Sequence, residues 1–333
     1  MAVTELVGAI LTRPTIDAAG AAAVMADAWG IEGALRTLPS ERDRNFAVAV
    51  DGVDRYVLKV SNGAEDPAFL EMQHRAMERL VAAGVPCQLP VRSRDGREVV
   101  DAGVPAARCL IRVLTWLPGR PLATIPPAER SAGLLRDVGR TMGRTAAALV
   151  GFDHQAAHRA FQWSAEQDLD VIRAHAQAVT EPARSALLAE WQARLAPLAD
   201  VFPTLRHGVI HNDANDHNVL VASDGASVSG LLDLGDAVWS VLVNELAVAA
   251  AYAALDADDP LAVVREVGAG FEAALPLTAG EAAVLVDLVA LRLATSVALS
   301  AHQSRLAPDD PYLTTSEAPA WALLEQLARE RRR

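Results

Sequence analysis

Two short apolar runs, Asn45-Phe-Ala-Val-Ala-Val50 and Tyr56-Val-Leu-Lys-Val60, flank an Asp51-Gly52 pair and predict a β-hairpin. A second hairpin is predicted from Val219-Leu-Val-Ala222 and Val228–Leu234, with Ser223-Asp-Gly225 as its turn. Between the hairpins, Asp66 and Pro67 form a cap and first turn, so a helix is expected over 67–83. Short strands are expected around 88–91 and 97–100, and a last strand over Arg108–Trp116. Leu117-Pro-Gly-Arg-Pro121 breaks that strand and is the expected hinge between two lobes. Residues 1 to about 34 read as alanine-rich helix. Further helices are expected at about 127–150, 163–178, 181–199, 241–256, 260–273, 279–304 and 317–330. The pattern therefore predicts an α+β chain: a small mixed β-sheet lobe over 1–116 and a mostly helical lobe over 117–333. The second hairpin is set among the helices of the latter.

Composition narrows the classes of function. At 333 residues with 51% hydrophobic positions, the chain can bury a sizeable core. A formal net charge of −12 argues against nucleic acid as a partner, because phosphate backbones need a basic face. Cys87 and Cys109 are too few for a disulfide scaffold and sit in apolar settings, so buried free thiols are expected. No basic segment opens Met1-Ala-Val-Thr-Glu-Leu, and the longest apolar run, Leu246–Leu255, is too short to cross a bilayer. A cytoplasmic protein without membrane or nucleic-acid partners is expected, as monomer or homodimer, acting on a small molecule.

The candidate chemistry lies around the second hairpin. His211-Asn-Asp-Ala-Asn-Asp-His-Asn218 precedes it, and Leu-Leu-Asp233-Leu-Gly-Asp236 closes it. Phosphoryl transfer from a nucleotide needs a carboxylate beside the attacking hydroxyl and oxygen ligands for bridging metal ions. Asp213 suits the first role. Asn218 and Asp233, returned near each other by the hairpin, suit the second, with Mg2+ as the expected ion. His211 is expected to orient the loop. Loop, strand, turn, strand, Asp-x-Gly is the order found in protein kinases and their small-molecule relatives. Lys59 is the sole lysine of the chain, kept where a kinase holds the nucleotide phosphates with a compact charge. Glu71, or alternatively Glu78, is the expected acidic partner of Lys59. The base of the nucleotide, ATP or GTP, is expected against the backbone near Leu114–Leu117, with Leu114 and Trp116 as its neighbours. Asp236, Trp239, Glu245 and Arg292 are the acceptor-site candidates, each with a plainer alternative. Asp236 could support the metal, Trp239 could fill core, and Glu245 could tie its helix to the catalytic loop. Arg292, in an apolar helix, needs an anion, and neither Glu281 nor Asp287 is well spaced to supply it.

These residues resemble the aminoglycoside phosphotransferase and choline kinase superfamily, and most of the chain takes part. His211, Asp213 and Asn218 match its catalytic loop, and Asp233 its metal-binding aspartate. Within it the chain is most similar to the hydroxylysine kinase group, through Leu38–Phe46, Tyr56–Asn62, Leu114–Arg120, Leu234–Ala237 and Pro311-Tyr-Leu. The resemblance implies a protein-kinase-like two-lobed fold and transfer of a γ-phosphoryl group to a hydroxylated amino acid such as hydroxylysine. Aminoglycosides, or choline, ethanolamine or homoserine, are the alternative acceptors, and a nucleotide-binding pseudokinase module is the non-enzymatic one. Two departures stand out. No glycine lies between Ala34 and Gly52, so Ser40, Arg42 and Asn45 are expected to cover the phosphates instead. Asn212 replaces the glycine common after the histidine, a place where Asn tolerates a left-handed backbone.

Overall fold

The computed structural model describes residues 14–40, 43–61, 65–102, 109–306 and 316–332. Arg42, Arg108, Pro311-Tyr-Leu and the first residues of the expected N-terminal helix lie outside them. The described residues form two compact units, one ending at Pro118 and the other starting at Gly119.

In the first unit, α1 (Ala18–Trp29) starts at Asp17, whose carboxylate accepts the Gly20 N–H, and stops at left-handed Gly30. The helix thus ends sooner than its composition suggests, and β1 (Ala34–Leu38) follows. The predicted hairpin forms as β2 (Arg44–Val50) and β3 (Val53–Ser61). Asp51 and Gly52 both have positive φ, the turn whose twist suits paired strands. Next come α2 (Pro67–Ala82), capped by Asp66 as expected, then β4 (Pro90–Val91), β5 (Val100–Asp101) and β6 (Leu110–Thr115). The expected strand at 97–100 begins only at Val100, because Ser93 Oγ ties the Arg97 N–H into a turn at 2.9 Å. The sheet runs β1-β2-β3-β6-β4, with β5 also on β6.

Register decides what this sheet presents. Phe46, Leu58 and Val113 are cross-strand neighbours and bury one face against Met25 and Trp29 of α1. One residue along, Asn45 opposes Lys59, and Lys59 opposes Arg112. Side chains alternate with period two, so this polar row stands on the other face, together with Leu114.

The second unit starts with β7 (Arg120–Pro121) and continues through α3 (Ala132–Leu149), α4 (Ala165–His175), α5 (Pro182–Leu195) and one turn of α6 (Leu198–Val201). Then follow β8 (His207–Ile210), β9 (Val219–Val221), β10 (Val228–Leu231) and β11 (Val238–Val241). Four helices close it: α7 (Val243–Ala253), α8 (Pro260–Glu272), α9 (Ala279–Leu306) and α10 (Glu317–Arg332). The second hairpin forms as expected, but β10 stops at Leu231 rather than Leu234. Asp233 has φ 59°, which cannot continue a strand. Helix α9 is long and apolar enough to cross a membrane, yet 67% of its most apolar window is buried within the unit. It is the central helix, set against α4, α7 and α10.

Helices α3 and α8 cross at backbone distance. A Cβ on Gly139 would run into the carbonyl oxygen of Val267, and one on Gly270 into that of Arg136. Both clashes are with main chain, which cannot swing away as a side chain does. Gly139→Ala is therefore expected to lower unfolding stability by about 1–3 kcal/mol. Urea denaturation checks this, and an unchanged midpoint would show that the crossing relaxes freely.

Candidate active site

Strands β8 and β11 pair antiparallel, with Ile210 opposite Val238, so the loops that leave them start side by side. His211 opens the first loop and is completely buried. Its backbone N–H donates to Glu245 Oε2 at 2.6 Å, and its Nε2 meets the Leu232 carbonyl at 2.8 Å. Its Nδ1 accepts the Asp213 N–H at 3.2 Å. Both ring nitrogens are therefore occupied by backbone, which fixes a neutral tautomer. Burial holds the imidazole below its ordinary range, against the bond to Leu232. These contacts tie His211 to both site loops.

Asn212 has φ 67° and is buried. Its Nδ2 donates to the carbonyls of Trp163 at 3.1 Å and Asp236 at 3.3 Å, and its Oδ1 accepts from Asn244 at 3.0 Å. The anticipated left-handed asparagine thus ties the first loop to the second.

Asp213 is held at both carboxylate oxygens. Asn215 Nδ2 donates to Oδ1 at 2.9 Å, and Asn218 Nδ2 to Oδ2 at 2.7 Å. Arg292 Nη2 lies 3.4 Å from Oδ1. The side chain keeps 21% of its surface, so an incoming hydroxyl has access. Burial pushes this carboxyl well above the usual range. Asp236 and then Asp233 add to the rise, while Arg292 opposes it.

Because Asn218 gives its N–H to Asp213, its Oδ1 is the atom suited to a metal ion. Asp233 Oδ1 accepts the Gly235 N–H at 2.9 Å, which orients the carboxylate. The Leu232 N–H bonds the Asn218 carbonyl at 2.9 Å, so the hairpin brings both donor residues to the same end. No group of three His, Cys, Asp or Glu suited to a metal occurs among the described residues. Two hard oxygen donors completed by substrate phosphates and water fit magnesium, which rarely uses an all-protein cage.

The other expected site residues divide. Lys59 is 6% exposed, and Asn45, Lys59 and Leu114 share one sheet face. The Asn45 Oδ1 is buried without a hydrogen-bond partner among the described residues. Ser40 Oγ accepts the Asp43 N–H at 3.3 Å, and the Trp116 N–H donates to the Arg55 carbonyl at 2.9 Å. Glu71 is exposed and its charge acts on Arg75, while Glu78 bonds Arg75 at 2.6 Å. In the second unit, Asp236 is 9% exposed and close enough for its charge to act on Asp213. Trp239 stacks on His158 with ring centroids 4.7 Å apart.

One acceptor-site expectation is corrected, and another residue has partners that the sequence did not show. Glu245 has no accessible surface and bonds the catalytic loop, the plainer of its two readings, so it cannot meet an acceptor. Arg292 does have protein partners. They are Asp213 and Asp168, with the Trp163 ring 4.3 Å and the Tyr252 ring 5.7 Å from its guanidinium carbon. Sequence reasoning missed Asp168, Trp163 and Tyr252, and also Arg159, whose Nη2 donates to the Gly235 carbonyl at 3.0 Å. Asn215 alone had a usable signal, its place two residues after Asp213 in a polar turn.

Comparison with known proteins identifies the family. The model of the phosphotransferase enzyme family matches residues 34–283. A hydroxylysine kinase of Mus musculus is 31% identical over 344 residues, covering 95% of this chain and 90% of that protein. Two solved structures share the fold. One is a microcompartment-associated aminopropanol kinase, with TM-score 0.72 at 20% identity over 94% of this chain and 98% of that one. The other is an amicoumacin kinase in complex with AMP-PNP, Ca2+ and Ami, with TM-score 0.71 at 15% identity over 93% and 94%. The chain belongs to the phosphotransferase enzyme family. It has a kinase-like α+β fold and is a small-molecule kinase.

The buried Glu245 gives a pH signature. Burial pushes its carboxyl from the ordinary 4.5 up to about 7, against backbone bonds from His211 and Asn212. The folded protein then holds this proton more tightly than the unfolded chain, so stability is lost as pH rises from about 4.5 to about 7. Relative to Glu245→Gln, the parent is expected to lose up to about 3 kcal/mol across that window. Denaturant melts at several pH values test this. A constant difference between the two proteins would mean that Glu245 binds its proton alike in the folded and unfolded states.

Proposed function

As a member of the phosphotransferase enzyme family, this chain, we propose, transfers the γ-phosphoryl group of ATP or GTP to the hydroxyl of a hydroxylated amino acid, with 5-hydroxylysine as the leading acceptor. The observation that carries the chemistry is Asp213, held by Asn215, Asn218 and Arg292 yet still open to an incoming hydroxyl. Asp213 aligns the acceptor hydroxyl and takes its proton. His211 and Asn212 hold the loop that presents it. Lys59, with Asn45 and Ser40 nearby in sequence, binds the nucleotide phosphates, and Leu114 and Trp116 border the base. Asn218 and Asp233 would hold magnesium, which when bound offsets charge developing on the transferred group. Asp236 faces the acceptor's ammonium, and Trp239 forms part of the wall.

The choice of acceptor rests on likeness to hydroxylysine kinases along 95% of the chain. The buried free thiols of Cys87 and Cys109 suit a reducing compartment, so we place the enzyme in the cytoplasm.

A coupled nucleotide-consumption screen across 5-hydroxylysine, homoserine, aminopropanol and aminoglycosides tests the acceptor. Highest kcat/KM is expected on 5-hydroxylysine. Strong turnover of aminoglycosides with none on hydroxyamino acids would overturn that choice. Asp213→Asn should keep the fold and nucleotide affinity while lowering kcat by roughly 10²–10⁴-fold, because an amide cannot take the proton. Near-parent turnover would remove Asp213 from the mechanism. Asp233→Ala should abolish magnesium-dependent nucleotide binding in calorimetry with the circular dichroism spectrum unchanged. If affinity survives, Asp236 becomes the next metal ligand to examine.

A further inference from the structure

Arg292 lies midway along α9 with 3% of its side chain exposed. Its surroundings must compensate a cation removed from water. The rings of Trp163 and Tyr252 lie near the guanidinium carbon, and the carboxylate of Asp168, itself buried, acts on it as well. The cation is therefore held in one place, with Nη2 directed at Oδ1 of Asp213.

An ionised carboxylate offers about four lone-pair sites, two on each oxygen. Asn215 and Arg292 both approach Oδ1, at 2.9 and 3.4 Å, whereas among the described residues Oδ2 receives the side chain of Asn218 alone, at 2.7 Å. We propose that Arg292 is a positioning residue for phosphoryl transfer. It fills the second site on Oδ1 and so leaves Oδ2 as the oxygen that takes the acceptor's proton. Its fixed charge also offsets Asp236 close to the reacting hydroxyl. In the step it serves, the acceptor oxygen bonds to the γ-phosphorus and the bond to the bridging oxygen breaks. The nucleoside diphosphate leaves, and the hydroxyl proton passes to Oδ2. This rests on the reading of Asp213 as the base.

The arrangement disfavours Arg292 as a ligand for an acceptor carboxylate. The cation has 3% of its side chain exposed, lies beside two rings and already meets the base, while its Nε and Nη1 are buried without a hydrogen-bond partner among the described residues. In a hydroxyamino acid such as 5-hydroxylysine, the carboxylate lies at the opposite end of the carbon chain from the hydroxyl that must sit there.

Steady-state kinetics of Arg292→Met and Arg292→Lys provide the test, on a hydroxyamino acid and on the amino alcohol that lacks its carboxylate. Arg292→Met should lower kcat on the order of 10²-fold for both acceptors, as loss of one oriented charged donor does. Both KM values should stay within about twofold. Arg292→Lys, which keeps the charge, should recover about tenfold of the lost rate. A loss confined to the carboxylate-bearing acceptor, a loss in KM alone, or an unchanged kcat would overturn the proposal. So would equal kcat losses for Lys and Met accompanied by equal falls in thermal midpoint, which mark a merely structural side chain. If Arg292→Met does not fold, Arg292→Lys decides alone. Lower kcat at unchanged KM and midpoint supports the proposal, and parent-like kcat refutes it. Parent turnover in the same assay is a separate readout. Its absence on hydroxyamino acids bears on the acceptor, while the variant-to-parent ratio on any productive acceptor still reports on Arg292.

Discussion

A carboxylate that must stay reactive while sheltered from water is the constraint around which the second unit is organised. Asp213 has Asp233 and Asp236 close by, and the charge of each acts to raise its carboxyl. The structure answers with donors rather than distance. Amide groups of Asn215 and Asn218 and the guanidinium of Arg292 surround the carboxylate. Two of these donors are themselves held in place. Asn215 is set by the turn it makes with His217 and Asn218, and Arg292 by two rings and Asp168. A second tier of buried acids follows: burial pushes Asp168 up to about 8 and Glu245 to about 7.

Backbone conformation serves the same end. Two of the four non-glycine residues with positive φ among those described, Asn212 and Asp233, stand in the two site loops. Each turns the chain sharply where a regular strand would have carried its side chain elsewhere. Asp233 holds a local hydrogen bond with the Gly235 N–H, whereas Asn212 is held by the distant Asn244 side chain. Short polar side chains of this kind accept a left-handed backbone more readily than most.

Much of this was legible in the sequence because it is local. The spacing of Asp213, Asn218 and Asp233 across a hairpin depends only on turn chemistry and strand length. The Lys59 hairpin and the Asp66 cap are equally local. The parts that were not legible depend on contacts between distant segments. Arg292 and Asp213 stand 79 positions apart, and the arginine's partners come from helices and loops that no periodicity links. Glu245 shows the same limit. An acid in the first turn of a helix is ordinary, and only tertiary packing distinguishes one that faces solvent from one that grips a loop. The glycine seam between α3 and α8 was invisible for the same reason.

The solitary lysine has a practical corollary. With every other basic side chain except histidine an arginine, the chain offers amine-directed reagents only the ε-amine of Lys59 besides the chain's own amino terminus. That amine sits on the sheet face shared with Asn45 and Leu114 and is nearly enclosed. Acylation followed by peptide mass mapping, which separates Lys59 from the amino terminus, would thus give a one-site protection footprint. It would need no label, no engineered cysteine and no knowledge of the acceptor.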